Sequence, residues 1–313
     1  MHTLDEIVRR YREHAGLRAK RPLRIVREVL GASDAVAGPG DDAAAIPDGE
    51  GHLLLAGEAM WPPFVEVDPY GAGAAAVVAN VNDVAAMGGR PLAIVDTIVA
   101  PEEAARRALE GLRWAADLYG VPVVGGHLTV TEEPPSLSAF VAGRAGRLLS
   151  ATRAAPGQAL LLVCCLEGRM REDFPFFSSL RERGERLRDD VAVLPEVAEA
   201  ELAESAKDVS MAGFLGSLAM LLEPTRAGAT VDLEAMPRPE DAAIEDWAGA
   251  FPTYAFWLTA RPEAAEDCRR AFHARGLACE VVGELDATGV LRCRLAGEEA
   301  VVADLAREGP TGL

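Results

Sequence analysis

Four short stretches of the chain combine side-chain types that can do chemistry. Asp83 stands in Ala74-Ala75-Ala76-Val77-Val78-Ala79-Asn80-Val81-Asn82-Asp83-Val84-Ala85-Ala86-Met87, a segment apolar nearly all round. A helix of that kind is normally buried. A bare carboxylate in it costs on the order of several kcal/mol unless it is paired or bound to a metal. Asn80, three residues earlier, shares its helical face. A metal ion, a neighbouring loop that the side chain caps, or an ion pair with a residue such as Arg90 would each satisfy the carboxylate. Gly40-Asp41-Asp42-Ala43-Ala44 sets two adjacent carboxylates in a glycine loop. That pattern suits a hard cation, which prefers oxygen ligands, and it suits an ordinary turn after Pro39 equally well. Val123-Val124-Gly125-Gly126-His127 ends an apolar run in paired glycines, where backbone can approach a ligand closely. His127 there would contact phosphate, organise a carboxylate, or be structural. Lys207-Asp208-Val209-Ser210-Met211-Ala212-Gly213 leads into an apolar helix. Asp208 or Ser210 would cap that helix; alternatively its free amides form an anion site, with Asp208 bridging through Mg²⁺. Lys207 is one of only two lysines, the other being Lys20, which makes it a candidate phosphate contact.

The elements around these residues alternate. Helices are expected over 4–14 and 21–30, a loop over 31–51, a strand over 52–57 and a helix over 71–87. A strand at 92–99 precedes a helix that Pro101 opens as a favourable first-turn residue and that runs to Tyr119. A short buried strand at 121–124 and another strand at 136–146 follow. Residues 148–156 read as a linker. Beyond it come a strand at 159–166, a solvated, charge-dense helix at 171–190, a helix at 195–206, and a loop into a helix at 208–222. A strand at 230–233, a strand–helix–strand unit at 253–260, 262–275 and 278–285, and a hairpin to 302 complete the pattern. Alternation of this kind predicts an α/β or α+β fold in two domains, 1–150 and 151–313.

Half of the 313 residues are hydrophobic and only 5% are aromatic, so the core must be built from Ala, Val and Leu. A net charge of −18 repels phosphate backbones and argues against nucleic acid as a partner. The same charge means that a polyanionic ligand would need Mg²⁺ or a focused basic patch. The five cysteines, Cys164, Cys165, Cys268, Cys279 and Cys293, form no C-x-x-C pair. They fit a reducing cytoplasm better than a disulfide framework or a zinc site, and read as small buried hydrophobes. Residues 1–20 are charged and amphipathic, unlike a signal peptide. The weakly charged stretch 71–89 holds Asn80, Asn82 and Asp83, unlike a membrane span. The expectation is a soluble, cytoplasmic protein.

Taken in order, Gly40-Asp41-Asp42-Ala-Ala, Asn82-Asp83-Val84-Ala85-Ala86-Met87-Gly88, Gly125-Gly126-His127 and Asp208-Val209-Ser210-Met211-Ala212-Gly213 resemble the aminoimidazole-ribonucleotide (AIR) synthase-like superfamily. That group holds AIR synthase, thiamine-monophosphate kinase, selenophosphate synthetase and the hydrogenase-maturation dehydratase. The resemblance implies an N-terminal α/β domain whose sheet joins that of a second copy in a homodimeric barrel, followed by a C-terminal α/β sandwich. It implies ATP in a cleft between the domains, with Mg²⁺ held at Asp41, Asp42, Asp83 and Asp208. Clustered carboxylates repel one another without a cation, so Mg²⁺ and a triphosphate account for their convergence. The implied chemistry is phosphorylation or ATP-dependent activation of a small molecule that attacks the γ-phosphate directly. Under this reading Glu58 is an auxiliary ligand, and Asn80, Gly125, Gly126, His127, Lys207 and Ser210 surround the nucleotide.

The sequence departs from each named member. Gly57-Glu58-Ala59 stands where thiamine-phosphate kinases carry an aspartate, and Met211 where they carry a second one. The first cysteine is Cys164, whereas selenophosphate synthetases need a reactive one near the N-terminus. The chain ends Gly309-Pro310-Thr311-Gly312-Leu313, without the terminal cysteine of the hydrogenase-maturation proteins. Met60-Trp61-Pro62-Pro63 differs from AIR synthase itself. Glu167-Gly168-Arg169-Met170 replaces the glycine-rich phosphate loop of many relatives, which makes Arg169 or Arg171 the substitute phosphate contact. The run from Asp208 to Glu223 is most similar to uncharacterised AIR-synthase-related proteins. Two other functions stay open on the residues: a nucleotide-binding scaffold that acts with a partner enzyme, and a metal-dependent hydrolase that uses the aspartates without ATP.

Overall fold

The computed structural model describes residues 3–31, 35–172 and 174–313. Residues 32–34 of the expected 31–51 loop and residue 173 of the expected 171–190 helix lie outside the described residues. The first half runs α1 (Thr3–Glu13), α2 (Ala15–Lys20), α3 (Arg24–Leu30), β1 (Ala44–Asp48), β2 (Gly51–Ala59), α4 (Pro62–Val67), α5 (Pro69–Ala86), β3 (Arg90–Ala100), α6 (Glu102–Tyr119), β4 (Val123–Val130) and β5 (Ser136–Ala145). The second half runs β6 (Ala159–Cys164), β7 (Arg169–Met170), β8 (Phe176–Ser178), α7 (Leu180–Arg183), α8 (Arg186–Val191), α9 (Val193–Glu199), β9 (Ser205–Asp208), α10 (Gly213–Leu222), β10 (Gly228–Asp232), α11 (Ile244–Trp247), β11 (Phe251–Pro252), β12 (Ala255–Ala260), α12 (Ala265–His273), β13 (Ala278–Asp286), β14 (Val290–Leu295) and β15 (Glu298–Asp304).

Five strands form the first sheet in the order β1-β2-β5-β3-β4, with only β3 and β4 parallel. Helix α5 starts where Pro69 fixes the first turn and the Asp68 carboxylate accepts the Gly71 amide at 2.8 Å. Its small residues serve contact with α6. A Cβ on Gly73 would lie 2.0 Å from the Ala108 carbonyl oxygen, and one on Gly111 would lie 1.9 Å from that of Tyr70. The two helices therefore pack backbone to backbone on one face of the sheet, and α5 is buried on nearly all sides. The opposite face exposes Leu55, Val95 and Phe140, and Val95 and Phe140 sit directly across from each other on β3 and β5.

Seven strands form the second sheet, ordered β15-β14-β10-β13-β6-β12-β9. One of its faces shares a continuous core with the first half, in which Leu161, Val163 and Phe256 join Val81, Val84 and Leu149. The other face packs under α10, α11 and also α1, whose Leu4, Ile7 and Val8 join Phe214, Trp247 and Trp257. Helix α1 thus belongs by sequence to the first half and by packing to the second. No described helix is long and apolar enough to cross a membrane.

The structure corrects several expected elements. β1 occupies part of the expected 31–51 loop, held by pairing with β2. The stretch expected as a short buried strand at 121–124 is the edge strand β4, 123–130, with Val124 exposed. The expected linker at 148–156 is buried at Leu149, Ser150 and Ala151. In place of a helix to 206, α9 ends at Glu199 and β9 pairs with β12, so tertiary pairing overrides helix propensity. The charge-dense 171–190 segment is neither one helix nor wholly solvated. Arg183 is buried and donates to the Asp190 carboxylate at 2.7 and 2.8 Å, so part of that charge neutralises itself inside the fold.

Candidate functional site

A cavity of about 870 Å³ lies against both halves, bounded by the 38–42 turn, β2, α4, α5, the 169–182 segment and the β9–α10 junction. The 38–42 turn sends its two carboxylates to different places. Gly40 has φ +117°, in the region that favours glycine, and the Asp41 amide closes the turn on the Gly38 carbonyl at 3.1 Å. Asp41 accepts the Ala151 amide at 2.7 Å and the Ser150 hydroxyl at 2.8 Å. It thereby pins the turn to the buried segment between the sheets. Burial pushes its carboxyl up, and those two hydrogen bonds oppose the rise.

Asp42 points instead toward Asp83 of α5 and Asp208 at the end of β9, and one carboxylate oxygen from each lies within 4.8 Å of the others. The Lys207 ammonium donates to both Asp42 and Asp208, and the Asp208 amide donates to Asp42 at 3.1 Å. Asp83 has no hydrogen-bond or ion-pair donor on its carboxylate among the described residues. Arg90, which the sequence offers as its partner, binds Glu199 at 2.5 Å. Burial first, and then the charges of Asp208, Glu58 and Asp42, push the Asp83 carboxyl far above the usual range. Burial likewise pushes Asp42 up to about 7, against the pull of Lys207. Glu58, in β2, is raised by burial, opposed by Lys20. Burial alone would lower Lys207, but Asp208, Asp42 and Asp83 more than reverse this and hold it charged. An all-oxygen donor set of three converging carboxylates, with one ammonium as its internal countercharge, fits a hard divalent cation.

Glu58, Lys207, Ser210 and Arg169 all line this cavity, as do Asp41, Asp42, Asp83 and Asp208. Four expected residues do not. Asn80 is buried and donates to the Ala76 and Ala139 carbonyls at 2.8 and 3.2 Å, fastening α5 to β5. Gly125, Gly126 and His127 belong to the exposed edge strand β4. Of the glycine pair, Gly126 does allow close approach, but of a neighbouring residue: a Cβ on it would lie 2.6 Å from the Asp96 carboxylate. Among the described residues the His127 ring hydrogen-bonds only with the Thr129 hydroxyl, at 3.3 Å.

Two residues that the sequence reading passed over line the cavity. Asn82 donates to the Thr253 carbonyl at 2.9 Å, tying α5 to the second half, and its side-chain oxygen has no hydrogen-bond partner among the described residues. The Ser210 hydroxyl is also buried without a partner. Both residues line the cavity, with these two oxygens themselves buried. Lys20 is the second; with Lys207 it brings both lysines of the chain to one cavity. The scarcity that singled out Lys207 applied equally to Lys20.

Residues 40–145 match the family described as AIR synthase related protein, N-terminal domain, and residues 166–296 match its C-terminal domain. An uncharacterised protein of Synechocystis sp. is 36% identical over 276 residues, 87% of this chain and 86% of its own length. A selenide, water dikinase of Myxococcus xanthus is 29% identical over 245 residues, covering 71% of this chain and 69% of the relative. Among solved structures, PurL of T. maritima complexed with ATP superposes with a TM-score of 0.75 at 22% identity. The match covers 93% of this chain and 55% of the PurL chain, so the protein spans about half the length of that relative.

Proposed function

The chain belongs to the AIR synthase related proteins, and from that premise we propose that it binds ATP with Mg²⁺ and phosphorylates or activates a small molecule. The observation that supports this most strongly is the meeting of Asp42, Asp83 and Asp208, drawn from both halves, around one lysine in a large cavity. Asp42, Asp83 and Asp208 would hold Mg²⁺, which when bound supplies the charge neutralisation that a triphosphate needs. Asp41 fixes the loop that presents Asp42. Lys207, relieved of its carboxylates by a cation, becomes available to a phosphate oxygen; Lys20, Asn82 and Ser210 line the same space. All five cysteines are buried, and burial pushes Cys268 and Cys293 up to about 12. A thiolate nucleophile is therefore not on offer, and the acceptor itself attacks.

Calorimetric titration of ATP with and without Mg²⁺ tests the proposal, and proton linkage sharpens it. Asp42 is pushed up to about 7, and burial raises Asp83 and Glu58 as well, so the ligand-free cluster gives up protons as its carboxylates ionise. A cation needs them deprotonated. Binding is expected to release protons and to strengthen as pH rises from about 6 to 8, read as a binding enthalpy that varies with the ionisation heat of the buffer. Stability of the cation-free protein should run the other way. The native state binds more protons than the unfolded chain, so stability falls as pH rises from the ordinary carboxylate range to about 7. ATP binding that ignores Mg²⁺ would refute the assignment.

A second reading, a nucleotide-binding scaffold without turnover, draws on the 167–170 segment. Arg169, the expected substitute for a glycine-rich loop, pairs with Glu182 and is 86% exposed. Phosphate release across a metabolite panel separates the two: none, despite tight Mg²⁺-dependent binding, selects the scaffold.

The outer face of the first sheet supports a homodimer. Leu55, Val95 and Phe140 are 43%, 41% and 45% exposed on it, an apolar surface of the sort that a second copy buries. Phe140→Glu is expected to convert a dimer into a monomer in sedimentation velocity. A wild type that sediments as a monomer at micromolar concentration would remove the dimer from the proposal.

A further inference from the structure

Five basic side chains line the cavity: Lys20, Lys207, Arg169, Arg171 and Arg181. Three have carboxylate partners. Lys207 binds Asp42 and Asp208, Arg171 binds Asp68 at 3.0 Å, and Arg169 binds Glu182 at 3.1 Å. Lys20 and Arg181 lie within ion-pair distance of no carboxylate among the described residues. In a chain with 49 acidic residues and a net charge of −18, two such cations lining one cavity mark places where negative charge is to arrive.

Their surroundings differ. Lys20 acts electrostatically on Glu58 and so belongs with the acidic cluster. Arg181 lies with its guanidinium 5.6 Å from the centre of the Trp114 ring, and Trp114 in turn leans on Tyr70 at 5.8 Å. An aromatic platform orients a guanidinium while leaving its N–H fork free, the arrangement suited to a bidentate phosphate or carboxylate. Close to this platform in sequence and on the same cavity, Phe64 stacks on Phe174 at 6.0 Å, and Phe174 meets Phe251 at 5.3 Å. An aromatic wall and a free arginine together describe a ligand with an apolar ring and an anionic group. The cation cluster, with Lys20 and Lys207 beside it, already accounts for a triphosphate.

Resting on the reading of this cavity as a nucleotide site, we propose that the acceptor is an anionic small molecule with an apolar ring. Arg181, held on Trp114, grips its phosphate or carboxylate and determines specificity. The wall of Phe64, Phe174 and Phe251 takes the ring.

The test titrates phenyl phosphate, benzoate and neutral benzyl alcohol into the full chain, with and without saturating Mg²⁺ and the non-hydrolysable analogue AMPPCP. Wild type and Arg181→Gln are compared. One or both anions are expected to bind wild type at least about tenfold more tightly than benzyl alcohol, and Arg181→Gln to bring all three within about threefold. The order of phenyl phosphate and benzoate tells which anion the site prefers. Arg181 is exposed, so the variant should fold; an unchanged melting temperature confirms it. Anions that bind wild type no better than benzyl alcohol, or a preference that survives Arg181→Gln, would overturn the proposal. The AMPPCP titration is read separately. Failure of AMPPCP to bind removes the nucleotide reading, while the anion preference measured without it still decides the role of Arg181.

Discussion

Asp83→Asn is expected to weaken Mg²⁺-dependent ATP binding by at least about a hundredfold, roughly 3 kcal/mol, and to leave the ligand-free protein as stable as wild type or more so. The two effects share one cause. Asp83 is buried, has no donor on its carboxylate among the described residues, and faces the charges of Asp208, Glu58 and Asp42. An amide of nearly the same shape removes that repulsion and removes an anionic oxygen from the place where a cation would be held. Thermal unfolding with and without Mg²⁺ reads both at once. Wild type should gain melting temperature on adding Mg²⁺ with ATP, and the variant should start no lower and gain almost nothing. An ordinary core aspartate would give the reverse, a variant less stable in every condition with ligand affinity untouched. Affinity unchanged in a folded variant takes Asp83 out of the site.

Lys207→Met should do the opposite to the ligand-free protein. Lys207 is the only cation that donates to the cluster among the described residues, and its removal strands Asp42 and Asp208 in a buried setting. Breaking a buried pair from one side costs about 3–5 kcal/mol, which in a chain of this size lowers the melting temperature by about 10 °C. Protonation cushions the loss. Asp42 is already pushed up to about 7, so below that pH it can accept a proton in place of the missing ammonium. The deficit should therefore be small near pH 6 and large near pH 8. Mg²⁺ should restore much of it, since a divalent cation takes over the countercharge. A deficit that neither pH nor Mg²⁺ alters would mean that Lys207 acts through packing alone.

What the sequence disclosed about this cavity follows from which residues were energetically conspicuous. A lone carboxylate in an alanine–valine helix is conspicuous in any context, and Asp83 does lie buried beside Asp42 and Asp208. The alternation of apolar runs gave α5, β3 and α6 nearly to their ends. Distinctions that depend on helix rotation were not legible. Asn80 and Asn82 are two residues apart, far enough around the helix for one to hold β5 and the other to reach Thr253 and the cavity. Nor could spacing say that Gly126 makes room for Asp96 rather than for a ligand. The 171–190 stretch misled because charge density does not distinguish arginines paired inside, such as Arg183, from one left free, such as Arg181.

The fold also constrains how any reactants get in. Helix α1 is laced across the far sheet, Asn82 is riveted to the Thr253 carbonyl, and a single apolar core runs through both sheets. Opening the two halves like a jaw would tear all three fastenings at once. The 38–42 turn lies outside both large sheets and is held through Asp41 by Ser150 and Ala151, so admission and release fall to the cavity's rims, a turnstile set in a fixed frame. Substitutions that loosen the rims should change how fast ligands exchange, with far less effect on how firmly the two halves hold together.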